Sequence, residues 1–398
     1  MKVECLPLGF SWSGHHCGLK SDSNSPDYSL IVSDRDAVVA GVYTQNLICA
    51  APVDLCRART PGSRARVIVT NSGNANACTG SQGVKDAEQM ASDVAALLGI
   101  EAEQVLVMST GIIGEFLPME KLNAASVEGV GSLEVGLEAF VDSANGILTT
   151  DQGRKTAGSI VETTQGIVRV AAMAKGAGMI GPNMATMLAA VTTDANLSQE
   201  SAQQILKRAV DKSFNCISVE GHTSTNDTVL LLANGAANSE PLTGNDLAKV
   251  SDEIEQTLIQ LAKQIPADGE GATHLIDILV KGAASKADAK RVAETIGSSN
   301  LVKTCIAGND PNWGRIASAA GYAGVPFDVQ GLKLRLNGTL LFEAGEPCPF
   351  DGVQASKLMA ESECIFIEVE LSEGAEQARI WTSDLTTAYV VFNSDYHT

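Results

Sequence analysis

The chain is poor in aromatic and in basic residues. Phe, Trp and Tyr make up 4% of its 398 residues, whereas glycine occurs 37 times. A core built from close backbone packing is therefore expected, rather than one built from aromatic layers. Only 28 Lys and Arg residues oppose 47 Asp and Glu residues, which leaves a formal net charge of −19. Such a charge repels phosphate backbones and anionic lipid surfaces, so we expect neither a nucleic-acid partner nor a membrane partner.

Long apolar runs and paired cysteine motifs are also missing. No stretch of about 18 consecutive apolar residues occurs, and the chain does not open with a basic segment followed by an apolar one. The nine cysteines are scattered, odd in number and never spaced as Cys-x-x-Cys. This spacing disfavours a disulfide framework and a structural zinc site. Reduced thiols in the cytoplasm are the expected setting.

Nucleotide and metal motifs are absent as well. No Gly-x-Gly-x-x-Gly leads from a predicted strand into a helix, and no phosphate-loop Lys-Ser/Thr motif occurs. His15 and His16 are adjacent, so in a strand they would point apart, and the acidic residues do not fall at metal-ligand spacing. We expect no metal site and no nucleotide-fuelled reaction.

Short β-rich runs alternate with amphipathic helical segments. Five runs are predicted as strands: Val67–Thr70, Val105–Met108, Ile276–Val280, Ile365–Leu371 and Ala388–Phe392. Three segments have apolar residues at spacings of three and four and are predicted as helices, the second capped by Ser198: Val84–Leu98, Glu200–Phe214 and Asp246–Ile265. No fixed-period repeat or low-complexity linker divides the chain. The alternation predicts an α/β (or α+β) protein with one core.

The most informative segment is Met173–Asp194. In it a glycine-rich loop precedes an Ala185–Thr186 bond, and a short apolar run follows. Glycines permit the unusual backbone conformation in which the Thr186 hydroxyl attacks the Ala185 carbonyl. Cleavage there would leave Thr186 with a free α-amine beside its hydroxyl, which is how an N-terminal threonine nucleophile is activated. The alternative is an ordinary loop before a buried strand or helix, and this segment alone does not exclude it.

Thr110 and Gly111 directly follow the predicted strand Val105–Met108 and Ser109. A hydroxyl and a glycine N–H at the exit of a strand suit an oxyanion hole, the pair of donors that stabilises a tetrahedral intermediate. A plain turn from strand to loop has the same composition, so both interpretations stay open at this point.

Three further polar positions have two interpretations each. Thr149–Asp151 is either a substrate-binding segment or a helix cap or turn. Lys175, inside the glycine loop, either receives a substrate carboxylate or is a solvated surface lysine. Glu270 lies between two glycines, where a carboxylate either reaches a ligand ammonium group or simply belongs to a turn.

Nine motifs, taken together, resemble the ornithine acetyltransferase family of arginine biosynthesis, also called glutamate N-acetyltransferase. In chain order they are Tyr28–Ser33, Ala40–Thr44, Asn71–Asn76, Ser109–Gly114, Met173–Asp194, Ser224–Thr228, Asp268–Thr273, Gly308–Arg315 and Asn393–Tyr396. Each motif is modest alone. Nine of them in order, across essentially the whole chain, make the resemblance specific.

The resemblance implies a self-cleaving enzyme made of two chains. Residues 1–185 would form the α chain and residues 186–398 the β chain, in an α2β2 assembly. The implied fold is a sandwich of mixed β-sheets with flanking helices, related to that of certain N-terminal-nucleophile aminopeptidases. Thr186 would be the nucleophile, and Thr110 and Gly111 would form the oxyanion hole. The substrate contacts implied by the family are Thr149, Lys175, Thr186, Glu270, Asn393 and Thr398.

The implied reaction moves an acetyl group from N2-acetylornithine to glutamate through an acetyl-Thr186 ester, without a cofactor. Members of the family divide on whether acetyl-CoA is also a donor, and no residue here decides this. Two positions depart from the family pattern: Gly181, where alanine is more frequent, and His222, where an acidic residue is more frequent. Gly181 is expected only to loosen the cleavage loop. Two alternatives remain: an amidase or aminopeptidase with an N-terminal nucleophile, and a non-catalytic protein with an uncut loop.

Overall fold

The computed structural model describes residues 2–181 and 187–395, which form fifteen strands and eleven α-helices. The strands are β1 Phe10–His15, β2 Tyr28–Tyr43, β3 Gly62–Asn74, β4 Val105–Ile112, β5 Lys155–Thr163, β6 Gly166–Lys175, β7 Leu188–Thr193, β8 Ile217–Ser218, β9 Thr228–Ala233, β10 Leu275–Ala283, β11 Lys333–Leu336, β12 Thr339–Glu343, β13 Glu346–Pro347, β14 Cys364–Glu370 and β15 Glu376–Ser383. The helices are α1 Ala51–Arg59, α2 Gly80–Leu98, α3 Met119–Gly131, α4 Leu137–Gly146, α5 Gln199–Asp211, α6 Gly244–Ala267, α7 Lys286–Ser298, α8 Asn300–Ala307, α9 Trp313–Gly321, α10 Gly352–Ala360 and α11 Thr387–Asp395.

The first sheet is mixed and has strands from both sides of the glycine-rich loop. Its order is β4-β3-β2-β9-β7-β6-β5, with β1 paired to β2. The pairs β3–β4 and β7–β9 are parallel, whereas β6 and β7 are antiparallel. The pair β9–β7 from residues 186–398 therefore lies between two groups of strands from residues 1–185, β4-β3-β2 and β6-β5, in one hydrogen-bonded layer.

Helices cover both faces of this sheet. Every residue of β7 and of β9 is buried, which fits strands that are enclosed on both faces. One core cluster joins β5, β6, β7 and β9 to α5 and α6, and another joins β2, β3 and β4 to α2 and α3. The residues at the ends of these central strands are consequently held by packing on two sides.

The second sheet has the order β13-β12-β11-β14-β10-β15-β8 and packs against α7, α8 and α9. Helix α6 contacts β5 and β6 of the first sheet and also β8 and β15 of the second. The predicted class, mixed α/β sheets with flanking helices, is confirmed.

The three predicted helices are present as α2, α5 and α6. Ser198 caps α5, because its side chain accepts a hydrogen bond from the Ser201 N–H. The polar loop Gly308–Arg315 has a similar structural role at its end, where the Asn312 side chain caps α9 by accepting from the Arg315 N–H. Four of the five predicted strands are also present, in β3, β4, β10 and β14, although β14 ends at Glu370 rather than at Leu371.

The fifth predicted strand, Ala388–Phe392, is wrong, because these residues lie in helix α11. A short apolar run has no periodicity that distinguishes strand from helix. Here contacts with distant residues stabilise the helix. A Cβ atom built on Gly271 would lie 2.5 Å from the Tyr389 nitrogen, so the start of α11 packs directly on this turn. The Thr386 hydroxyl also donates to the Gly271 carbonyl.

All nine cysteines are free thiols. In residues 2–181 and 187–395, no three His, Cys, Asp or Glu side chains are grouped so that they could hold a metal ion. No helix in this part of the chain is both long and apolar enough to cross a membrane.

Candidate active site

The ends of β6 and β7 and the start of β9 meet at one corner of the first sheet. Lys175, the last residue of β6, pairs with Leu188, the first residue of β7. Leu188 in turn is in register with Thr228, the first residue of β9. The residues that precede these two parallel strands are therefore neighbours. At this point the Met187 N–H donates a 3.0 Å hydrogen bond to Asp227 Oδ1.

Ala185, Thr186 and Thr398 lie outside the described residues. Met187, which is covalently joined to Thr186, is buried. The chain therefore enters β7 from this corner, next to Asp227.

Asn226 connects this corner to the predicted oxyanion strand. Its buried side-chain amide donates to the Ser109 carbonyl at 2.8 Å and to the Ala75 carbonyl at 2.6 Å. Ser109 directly precedes Thr110. The dipeptide Asn226-Asp227 thus bonds to β4 with one side chain and to the residue before β7 with the other.

Thr110 and Gly111 are inside β4, which continues to Ile112 rather than ending at Met108 as predicted. Thr110 is buried, and Gly111 has φ +136°, a conformation that other residues rarely adopt. A Cβ atom on Gly111 would lie 2.2 Å from the carbonyl carbon of Gly73 on β3. Glycine is therefore required here both for its backbone angles and for the close approach of the two strands. The role of Thr110 and Gly111 as oxyanion donors stays a prediction.

Lys175 is fully enclosed, so the alternative of a solvated surface lysine is wrong. Burial lowers the pKa of Lys175, and the negative charge of Asp151 opposes that shift. Burial alone would raise the pKa of Asp151, but the charges of Lys175 and Lys155 lower it to about 2. Asp151 also accepts hydrogen bonds from the backbone N–H groups of Gly176 and Thr149. One carboxylate therefore holds the Thr149 segment against the end of β6.

Lys155 extends this network into the second half of the chain. Its ammonium group is 2% exposed and donates to Asp151 Oδ1 at 2.6 Å and to Asp268 Oδ2. The backbone N–H of Gln152 donates to the same Asp268 oxygen. A lysine between two carboxylates with little water access is a buried ion-pair cluster, whose disruption leaves uncompensated charge. This cluster of Lys155, Asp151 and Asp268 connects the loop at Asp151 to the turn that contains Glu270.

Glu270 is bound by residues from both halves of the chain. The Thr150 hydroxyl donates to Oε1 at 2.7 Å, and the Asn393 side-chain amide donates to Oε2 at 3.0 Å. The Glu270 N–H donates to the Ala177 carbonyl in the glycine-rich loop. A Cβ atom on Gly178 would lie 2.4 Å from the Glu270 carboxyl group. Glu270, Asn393 and the glycine-rich loop are therefore in direct contact, as a shared ligand site requires.

The two departures from the family pattern lie against each other. A Cβ atom on Gly181 would lie 2.6 Å from the carbonyl carbon of Gly221 and 2.8 Å from the carbonyl oxygen of His222. The neighbouring Ile180 carbonyl accepts from the N–H groups of Val219 and Gly221. The expectation that Gly181 only loosens the loop is therefore wrong: glycine permits close packing of the loop on residues 219–222.

Several residues of the site had no role assigned from the sequence. Asn226 and Asp227 belong to the motif Ser224–Thr228, but the spacing of this motif does not show which strands the two residues join. Thr150 and Asp151 were part of the Thr149–Asp151 segment without separate roles. Lys155 gave no signal, because a single lysine at the start of a strand has no distinguishing pattern.

Comparison with known proteins identifies the family. A model of the ArgJ family matches residues 11–398. The arginine biosynthesis bifunctional protein ArgJ of Rhodopirellula baltica is 47% identical over 396 residues, which is 99% of this chain and 96% of that one.

Two solved structures are also similar. The crystal structure of the same-named protein from Bacillus halodurans is 39% identical, with a TM-score of 0.50, and the match covers 52% of this chain and 97% of that chain. The structure of ornithine acetyltransferase with ornithine from Mycobacterium tuberculosis is 35% identical, with a TM-score of 0.42, covering 46% of this chain and 95% of that chain. On the family match and the near-complete relatives, the chain belongs to the ArgJ family and is an N-acetyltransferase of arginine biosynthesis.

Proposed function

We propose that the chain cleaves itself between Ala185 and Thr186 and that the new N-terminal Thr186 transfers acetyl groups. The donor is N2-acetylornithine and the acceptor is glutamate. The two products of cleavage are residues 1–185 and residues 186–398. The observation that carries the proposal is the convergence, at one corner of the first sheet, of the buried Lys175, the enclosed and hydrogen-bonded Asp151 carboxylate, and Met187, the residue that follows Thr186.

The side chains around this corner suit substrates that are amino acids. Lys175 is a buried cation that can pair with a substrate carboxylate, and Glu270 is a carboxylate that can receive an ammonium group. Thr149, Asn393 and Thr398 complete the proposed contacts. Asn393 is supported by its hydrogen bond to Glu270, and Thr149 by its backbone bond to Asp151.

The proposed cleavage is supported by the length of a solved relative. In the Bacillus halodurans structure, 97% of one chain matches only 52% of this chain. A chain of that structure is thus about half as long as this one, and residues 186–398 are slightly more than half. Strands from both halves share the first sheet, so the two products would stay together after cleavage.

The proposed chemistry has two acyl-transfer steps. The Thr186 α-amine takes the proton of its own hydroxyl, and Oγ attacks the acetyl carbonyl of N2-acetylornithine. The Thr110 hydroxyl and the Gly111 N–H stabilise the oxyanion, and removal of one such donor raises the barrier by roughly 3–4 kcal/mol. Ornithine leaves with a proton. The amine of glutamate then attacks the acetyl-threonine ester, which regenerates the free enzyme.

The decisive assay incubates the protein with N2-acetylornithine, with and without glutamate. The proposal predicts N-acetylglutamate in the presence of glutamate, and an inactive, uncut Thr186→Ala variant. Acetate without N-acetylglutamate would instead identify an N-terminal-nucleophile amidase. A Thr186→Ala chain that is still cut at this position would exclude the proposed cleavage.

The relatives are named bifunctional, which supports a second donor for this chain as well. Acetyl-CoA, the donor on which members of the family divide, is the candidate. Replacement of N2-acetylornithine by acetyl-CoA in the same assay tests it, and N-acetylglutamate formation above the level of the Thr186→Ala variant is the expected result.

We also propose an α2β2 assembly in the cytoplasm. The nine free thiols support a reducing compartment. Native mass spectrometry of the cleaved protein tests the assembly, with two copies of each fragment as the expected composition.

A further inference from the structure

Self-cleavage poses a proton-transfer problem that the transfer reaction does not. In the mature enzyme, the free α-amine of Thr186 accepts the proton of the hydroxyl. In the uncut chain this nitrogen belongs to an amide, and an amide nitrogen is not a useful base. Another group must therefore take the proton from the hydroxyl and return it to the departing nitrogen.

Asp227 has the position and the free acceptor capacity for this task. It is 0% exposed, and its Oδ1 atom is held by the Met187 N–H. Among the described residues, no donor meets hydrogen-bond geometry at its buried Oδ2 atom, although the Thr44 hydroxyl and the Ser224 N–H are near enough to lower the pKa of the carboxyl group. A buried carboxylate oxygen that lacks a partner is costly and needs an explanation.

The hydrogen bond to Oδ1 fixes this carboxylate at Met187, the residue that follows Thr186 in the sequence. The Met187 nitrogen that donates to Oδ1 is bonded to the carbonyl carbon of Thr186, and consecutive Cα atoms are about 3.8 Å apart. The N–H of the peptide bond that follows Thr186 is therefore hydrogen-bonded to Asp227. Asp227 is fixed on the other side by Asn226, which is bonded to β4.

The surroundings of Asp227 favour a carboxyl group that exchanges protons near neutral pH. Burial raises the pKa of Asp227 to about 8, although the bond from the Met187 N–H, the Thr44 hydroxyl, the positive charge of Lys175 and the Ser224 N–H oppose this. Among the described residues Lys175 is the charged group that acts on Asp227, and Asp151, Lys155 and Glu270 also act on Lys175. A proton acceptor works best when its pKa is close to the working pH.

We propose that Asp227 relays the proton during self-cleavage; this inference rests on the proposed function. Asp227 takes the proton from the Thr186 hydroxyl as Oγ bonds to the Ala185 carbonyl carbon. It then gives that proton to the Thr186 nitrogen as the bond between this nitrogen and the Ala185 carbonyl carbon breaks. The product is an ester, and water hydrolyses it to the Ala185 carboxylate and the free Thr186 hydroxyl. No proton is gained or lost in the shift itself.

The test follows cleavage of freshly translated chains over time, by denaturing gel and intact mass, between pH 6 and 9. Asp227→Asn keeps an acceptor for the Met187 N–H but cannot take up the proton. We expect the Asp227→Asn chain to be cut at least about 100-fold more slowly than the wild-type chain. The wild-type rate is expected to rise with pH and level off above the pKa of Asp227, and this rise is expected to be absent in the variant.

Asp194→Asn is the matched control, because Asp194 is equally buried and directly follows the far end of β7. It is expected to be cut at the wild-type rate. Asp227→Glu retains a carboxylate and is expected to be cut faster than Asp227→Asn, which keeps the test valid if the asparagine variant folds poorly. Equal rates for these two variants would overturn the inference.

The outcomes separate the inference from the function on which it rests. A wild-type chain that is never cut would overturn both. Normal cleavage of Asp227→Asn, or a wild-type rate that does not change from pH 6 to 9, would overturn the role of Asp227 and leave the proposed function intact.

Discussion

The side-chain amide of Asn226 donates a 2.8 Å hydrogen bond to the backbone carbonyl of Ser109. The next residue, Asp227, accepts a hydrogen bond from the backbone of Met187. Ser109 precedes the proposed oxyanion donors, and Met187 follows the proposed nucleophile. Two consecutive side chains therefore set the separation between the two parts of the site. In a mechanism that depends on positioned donors, this separation controls the rate of acyl transfer.

Asn226→Ala is expected to lower kcat for acetyl transfer more than it raises KM. The change removes the two hydrogen bonds that the amide donates to the Ser109 and Ala75 carbonyls and the one that it accepts from the Thr225 hydroxyl. Each buried group left without its partner costs roughly 1–3 kcal/mol. Steady-state kinetics and urea unfolding measure the two effects. Asn196→Ala is the control, because its amide bonds to the loop at Asn238 and Ser239 instead. Equal kinetic losses in both variants would contradict the positioning role.

Thr110→Val is expected to reduce kcat by about 100-fold to 1,000-fold, because it removes one oxyanion donor while it preserves the shape of the side chain. The free energy of unfolding should change little. Thr192→Val, which alters another buried strand threonine, serves as the control and should retain kcat. A Thr110 variant with wild-type kcat would show that this hydroxyl does not contact the reacting carbonyl.

Gly178→Ala is expected to raise KM for the amino-acid substrates about tenfold or more, with little loss of stability. The added methyl group would meet the Glu270 carboxyl at 2.4 Å, and a side-chain end can move aside more easily than a backbone. The displaced carboxylate would no longer reach the substrate ammonium group, and a hydrogen bond to a charged group contributes about 1.5–3 kcal/mol. Gly153→Ala is the matched control, since a Cβ atom there meets nothing within 4 Å. An unchanged KM in Gly178→Ala would remove Glu270 from the substrate site.

Low pH should reduce the free energy of unfolding, because it protonates Asp151. Its pKa is lowered from 3.8 to about 2 in the folded chain, so its contribution is present above pH 4 and is lost as the pH falls through about 2. A shift of this size corresponds to roughly 2 kcal/mol. Urea unfolding of the wild-type chain and of Asp151→Asn at several pH values measures it. The variant should be less stable at pH 7 and should lose less stability between pH 4 and pH 2; parallel curves would contradict the assignment.

Much of the fold could be predicted because its elements have strong local patterns. The apolar residues of α6 recur at spacings of three and four over more than five turns, and few other structures fit such a pattern. By contrast, the run Ala388–Phe392 favoured a strand by composition alone. Its helix depends on contacts with the turn at Gly271, 117 residues earlier in the chain, and no local pattern contains that information.

The residues of the site also fall into two groups, those that could be predicted from the sequence and those that could not. Residues with an unusual local requirement, such as Gly111 and the glycine-flanked Glu270, could be selected from the sequence. Residues that act across the fold could not. Lys155 joins carboxylates at positions 151 and 268, and Asn226 reaches position 109, so their roles follow from strand order and register rather than from spacing.

Intact mass spectrometry after exposure to N2-acetylornithine, without glutamate, tests the central claim most directly. The account predicts two fragments, residues 1–185 and residues 186–398, with one acetyl group on the second fragment. Addition of glutamate should remove that acetyl group and release N-acetylglutamate. A single uncut chain, or an acetyl group on the first fragment, would contradict the assignment of Thr186 as the nucleophile.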